Sequence, residues 1–156
     1  KQLTRDQVEK QVDGARPGML SHVLSSCGAT LPKSPIAFEI AKGWMASKDP
    51  VRRSCGYGLV YELAKDKKDK RLTDEFFLGC VEKIGNTIAK EENWVRVGMG
   101  GALMSIGKRN KKLNAAAIKL AKAIGPIHFS DGDKKCEPMN VLKHLTSDYL
   151  RNKLGT

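Results

Sequence analysis

The chain has 156 residues, with 28 Lys and Arg against 17 Asp and Glu and a formal net charge of +11. That length suits one domain with enough chain to bury a core, and no run of about 18 apolar residues is present to cross a membrane. The basic excess is uneven: residues 101–156 hold 11 Lys and Arg against 4 Asp and Glu, a footprint that suits nucleic acid as well as it suits a solvated surface.

Taken in chain order, Thr4 to Asp13 reads as a short polar helix with Leu3, Val8 and Val12 on one side, broken by Gly14 and Pro17-Gly18. Leu20, Val23, Leu24 and Cys27 follow with helical spacing. Ser34-Pro35 has the form of a helix start, and Ala37, Ile40, Ala41 and Trp44 mark the buried stripe behind it. Asp49 then caps a helix with Pro50 in its first position, and Val51, Cys55, Leu59 and Leu63 recur every four residues. Lys65 to Arg71 is a mixed-charge linker, expected as a solvated loop. Thr73 caps the next helix, whose face is Phe77, Cys80, Val81, Ile84 and Ile88.

A further helix shows Val95, Met99, Ala102, Leu103 and Ile106, and after the basic turn Lys108 to Lys112 comes another with Leu113, Ala117, Leu120, Ala121 and Ile124. Gly125-Pro126 stops it. Ile127 to Glu137 reads as an ordered loop, with Ile127-His128-Phe129 a short extended piece, and a last helix from about Pro138 to Asn152 puts Leu142, Leu145 and Tyr149 on one face. The chain is expected to be all-α.

Two of these helices are copies. Asp49-Pro50-Val51-Arg52-Arg53 returns 44 residues later as Asn93-Trp94-Val95-Arg96-Val97, and the same offset carries Leu59 onto Leu103. Forty-odd residues is the period of a helical-hairpin repeat, in which each unit finishes burying its apolar face on the next. The spacing predicts a right-handed solenoid of seven or so helices, with repeat helices at about 50–65 and 94–109. In such stacks, Asp49 with Arg52 and Asn93 with Arg96 are expected as a structural ladder at the inter-helix turns. Arg53 has Val97 as its counterpart, so it reads as an unpaired cation suited to a phosphate. Lys108, Arg109, Lys111 and Lys112, on a turn between two amphipathic helices, should all be exposed and join Arg53 as nucleic-acid ligands.

Trp44 to Leu63, with Asn93-Trp94-Val95-Arg96 and the helices from Ile106 to Gly125, resembles the DNA alkylation repair family of HEAT-like repeat proteins, over about residues 20 to 125. With a single domain expected over residues 1–156 from length, the resemblance implies a curved solenoid whose concave, basic face cradles duplex DNA, and a DNA-backbone contact at Arg53. It also implies an absence. Where the glycosylases of the family carry a tryptophan and a catalytic aspartate, registration on Trp44 places Ser21 and Ser25, and a second family tryptophan falls on Gly101. A hydroxyl supplies no negative charge to a developing oxocarbenium ion, and the lost aromatics remove the stacking surface for an alkylated base. The chain is therefore expected to bind DNA without glycosylase chemistry. Its alternatives are a protein-interaction scaffold, since solenoids present extended surfaces to peptides, and an active alkylpurine glycosylase.

Other constellations carry less. Asp131-Gly132-Asp133, near His128 and Cys136, matches no zinc or EF-hand spacing and reads as a turn. His22 and Cys27 are spaced wrongly for one helical face, and His144 should face solvent. No P-loop, dinucleotide fingerprint or serine-hydrolase elbow is present, so no cofactor is expected. Cys27, Cys55, Cys80 and Cys136 lie far apart, three on apolar faces, which suits reduced thiols in the cytoplasm. The glycines at 56, 58, 98, 100 and 101 suit close helix packing or, alternatively, the approach of a phosphate backbone. A start at Lys1 without methionine reads as a trimmed chain or one lacking its first helix.

Overall fold

The computed structural model describes residues 3–15, 24–25, 29–129 and 136–156. Among these, eight α-helices are α1 (Arg5–Asp13), α2 (Ala37–Met45), α3 (Pro50–Leu63), α4 (Asp74–Thr87), α5 (Asn93–Gly107), α6 (Lys111–Ile124), α7 (Val141–Leu145) and α8 (Asp148–Leu154). Short 3-10 turns occupy Leu31–Lys33 and Ile88–Lys90. Among the described residues there is no strand, only an isolated antiparallel bridge between Ile127 and Met139. No described helix is long and apolar enough to cross a membrane. The predicted helix around Leu20 to Cys27, with His22, lies mostly outside the described residues, as does Asp131-Gly132-Asp133.

Local chemistry sets the helix starts. Thr4 and Gln7 exchange side-chain and backbone hydrogen bonds in a capping box on α1. Asp49 accepts from the Val51 N–H at the head of α3, Thr73 from Phe76 N–H at α4, and Asn110 from Leu113 N–H at α6. Gly125, at φ 69°, ends α6 in a conformation that a residue with a Cβ adopts only with strain. Ser34-Pro35 does not cap α2 directly; the two residues form a turn, and Ile36 occupies the cap position without a side-chain bond.

Among consecutive helices, α2 packs on α3, α5 on α6 and α6 on α7. The most extensive contacts run between α3 and α5 and between α2 and α3, so the two sequence copies lie side by side. Their stripes form the core: Cys55 and Leu59 on α3, and Val95, Met99, Leu103 and Ile106 on α5, are completely buried. Burial pushes the thiols of Cys55 and Cys80 up to about 12, so both stay protonated at neutral pH. Cys136 is exposed.

Helix α3 meets α2 through Gly56, where an added Cβ would sit 2.7 Å from the Met45 backbone nitrogen. That is a packing role, and it predicts the cost of filling the gap. Gly56→Ala should destabilise the protein by about 2 kcal/mol through forced separation of the helices. Gly79→Ala, where nothing lies within 4 Å of the new methyl group, should instead stabilise α4 by about 0.5–1 kcal/mol. Urea titration of both variants checks the pair; equal stabilities would remove the close-contact argument.

The C-terminal end departs from the single helix predicted from Pro138 to Asn152. Thr146 donates its hydroxyl hydrogen bond to the Leu142 carbonyl and Ser147 to that of His144, and Ser147 turns extended. These side-chain bonds end α7 and restart the chain as α8. The restart shifts the inward face by one residue: Leu150 is 3% exposed, whereas Tyr149, predicted inside, is 75% exposed. His144 is exposed, as expected.

Candidate nucleic-acid interface

The repeated arginines divide sharply by what they touch. Arg52, on α3, donates from Nη1 to Asp49 Oδ2 at 2.9 Å and from Nε to Glu9 Oε2 at 3.1 Å, and it also reaches Asp13. Trp44 Nε1 donates to the second Glu9 oxygen at 3.1 Å, so this cluster clamps α1 onto α2 and α3. Hydrogen bonding, first to Asp13 and then to Asp49 and Glu9, raises the Arg52 pKa above the ordinary arginine range. In the second copy, Arg96 donates to the carbonyl oxygens of Ile88 and Ala89 at the end of α4, at 3.0 and 2.8 Å. Its Asn93 neighbour is the first residue of α5 rather than the cap, a position taken by Glu92.

Arg53 is not the unpaired cation that the sequence suggests. Its Nε and Nη2 donate to the two carboxylate oxygens of Glu91, both at 2.7 Å, and Nη1 donates to the carbonyls of Ser47 and Lys48 just beyond α2. The Glu91 side chain is 7% exposed and that of Arg53 is 22% exposed. The hydrogen bond to Glu91 raises the Arg53 pKa further. A fork-on-fork pair of this kind fixes geometry and leaves few donors for a ligand.

Arg109 corrects a second expectation. Of the turn's four cations, Lys108, Lys111 and Lys112 are exposed, but Arg109 is half-buried. Its Nη1 donates to the carbonyls of Ala64 and Asp66, its Nη2 donates to that of Leu72, and its guanidinium lies over the Phe77 ring at 4.6 Å from the centroid. Burial draws its pKa downward, against Asp74 and Asp66. The carbonyl oxygens that end α3 need donors, and a planar guanidinium is suited to supply several at once.

Among the described residues, several exposed cations are gathered on α6 and its entry turn. Lys111, Lys112, Lys119 and Lys122 are all exposed, and the helix has no acidic residue. At 100° per residue they share an arc of about 100°, opposite the buried Leu113, Ala117 and Ala121. From Lys111 to Lys122 the row runs about 16 Å along the axis. The nearest carboxylate contact in the row is Lys112 Nζ to Glu75 Oε1, at 3.7 Å between exposed groups. Sequence reasoning does not single out Lys119 and Lys122. Their spacing from Lys111, at i+8 and i+11, is the signal that could have found them.

Two carboxylates near the first repeat have different surroundings. Asp49 caps α3 and pairs with Arg52, and the exposed Glu39 lies 3.8 Å from Lys42. Ser25 is 2% exposed, with its side chain against Gly58. Gly101 lies on the half-exposed side of α5, where an added Cβ would touch Tyr61 at 3.8 Å. Among the described residues no group of three or more His, Cys, Asp and Glu is placed to hold a metal ion.

Residues 11–128 match the family described as DNA alkylation repair enzyme. A solved structure, from "a new family of proteins related to the HEAT-like repeat DNA glycosylases with affinity for branched DNA structures", superposes with a TM-score of 0.83 at 24% identity. The match covers 98% of this chain and 64% of the other, so this chain spans less than two thirds of that relative's length. At that identity the likeness establishes the HEAT-like repeat fold. No curated protein matches the sequence.

Proposed function

The chain belongs to the DNA alkylation repair family, and from that premise we propose that it holds DNA by the phosphate backbone without excising a base. The observation that carries the reading is the row of exposed lysines on α6, a helix with no acidic residue of its own, continued by Lys108 at the end of α5. Lysines on a rigid helix neutralise phosphates without reading sequence, and their binding energy comes largely from released counterions. The affinity for branched DNA described for the solved relative makes branched duplexes a fitting probe beside linear ones.

The absence of base chemistry in this reading is supported by Ser25. The family resemblance sets it where the glycosylases carry their aspartate, and its hydroxyl is packed against α3, out of reach of a sugar. Neither Asp49 nor Glu39 replaces it, the first being held by α3 and Arg52 and the second lying beside Lys42. Release of a methylated purine from duplex DNA, abolished by Ser25→Ala, would overturn this half of the proposal.

The other half is tested by salt. The expected slope of log affinity against log salt is about −0.9 per phosphate neutralised. Lys108→Gln, Lys111→Gln and Lys112→Gln together should weaken binding to all duplexes by about tenfold or more and flatten the slope by roughly 0.9 for each phosphate no longer neutralised. Helix content should be unchanged, because solvated side chains contribute little to stability. An unaltered slope would exclude this face from any DNA footprint.

A further inference from the structure

A groove of about 580 Å³ runs between α6 and the turn that joins α7 to α8. Its floor is aliphatic, made by Ala115, Ile118 and Leu145, and Lys111, Lys119, Lys122 and Arg151 stand around it. No acidic side chain lines it. The polar groups at its base are already committed. Asn114 donates its amide hydrogens to the carbonyls of Gly107 and Leu145, and Thr146 donates to Leu142. A bare phosphate would find charge at the rim and no free side-chain donor on the floor made by Ala115, Ile118 and Leu145, whereas an aliphatic side chain would find aliphatic contacts there.

We propose that this groove docks an acidic, amphipathic segment of a partner protein, seated by apolar side chains and held by carboxylates on the four cations. The charge complementarity identifies the occupant: leucine-like side chains for the floor, flanked by Glu or Asp for the rim. Lys111, Ala115 and Lys119 follow one another at i, i+4 and i+8, so a helix laid alongside α6 would meet cation, methyl and cation in turn. The lysine stems lengthen the apolar walls while their ammonium groups stay in water. The docking proposal does not rest on the DNA reading, but the two sites share Lys111, Lys119 and Lys122. A segment docked here would therefore compete with DNA for those lysines.

The test uses a fluorescein-labelled peptide of roughly 14 residues, Leu at i, i+3, i+4 and i+7 and Glu elsewhere, with a control in which every Leu is Ser. Fluorescence anisotropy should show the Leu peptide binding at least about tenfold more tightly than the control. Ala115→Glu, at an exposed helical position, should weaken the Leu peptide about tenfold with helix content retained in circular dichroism. Ile118→Gln should weaken the Leu peptide and leave the control unchanged. Lys108→Gln with Lys112→Gln, both outside the groove, should leave the peptide unchanged even where DNA affinity falls, which separates this proposal from the DNA one. Equal binding of the two peptides, or no binding of either, would overturn the proposal. So would an Ala115→Glu variant that binds like the parent, or an Ile118→Gln variant that weakens duplex DNA binding and leaves the Leu peptide unchanged.

Discussion

Arg53→Ala should cost the fold about 3–5 kcal/mol, a large share of a typical domain's stability. The loss is large because of what stays behind. Glu91 is 7% exposed at its side chain and both its oxygens accept from Arg53; without the guanidinium it becomes a buried, uncompensated carboxylate. The carbonyls of Ser47 and Lys48, beyond the end of α2, lose a donor in the same step. Arg53→Lys should recover little, since one ammonium does not reproduce two parallel bonds and two further contacts. Adding Glu91→Gln to Arg53→Ala should return part of the stability by removing the stranded charge. Urea unfolding of the three variants reads this out. An Arg53→Ala protein that unfolds like the parent and loses only DNA affinity would restore the phosphate-ligand reading of this residue.

The contrast shows which interactions a sequence displays. The apolar stripes of α3 and α5 are legible because burial follows the helical period, and the buried side chains with apolar character on α5, Val95, Met99, Ala102, Leu103 and Ile106, are those its spacing predicts, beside buried Gly100, Ser105 and Gly107. Caps at Asp49 and Thr73 are legible because donor and acceptor lie within a few residues. The sequence misleads at Arg53 because its partner is 38 positions away and follows a different helix. It misleads at Arg109 because the acceptors are backbone carbonyls, which every residue has and no letter of the sequence marks. Tyr149 is displaced from the inward face by two hydroxyl groups, at 146 and 147, that bond back to the preceding turn and reset the helix. The basic character of the C-terminal third is plain in the charge count. Which cations are free to bind is not, because that depends on which carbonyls and carboxylates the fold brings to them.

Arg109 gives the second large effect, and it separates two kinds of cation on a single turn. Arg109→Ala should destabilise the protein by about 2–4 kcal/mol, because hydrogen bonds from a charged donor are worth more than neutral ones and the abandoned carbonyls are partly buried. Loss of the guanidinium from the Phe77 ring adds to this, the contact being partly desolvated. Three carbonyls from the end of α3 and the α3–α4 linker converge on this one side chain. Its removal should therefore loosen the linker and the α5–α6 turn together. Lys108→Ala, one residue earlier and exposed, should leave the urea midpoint unchanged and lower only the salt slope of DNA binding. Arg109→Ala should shift the midpoint with the unfolding slope unchanged, the mark of altered stability rather than altered compactness. At a temperature where both variants are folded, Arg109→Ala should bind DNA nearly as the parent does. The reverse outcome, a stable Arg109→Ala protein with a flattened salt slope, would mean that the guanidinium leaves Phe77 for a phosphate when DNA arrives, and the proposed DNA-binding surface would then include all four cations of the turn.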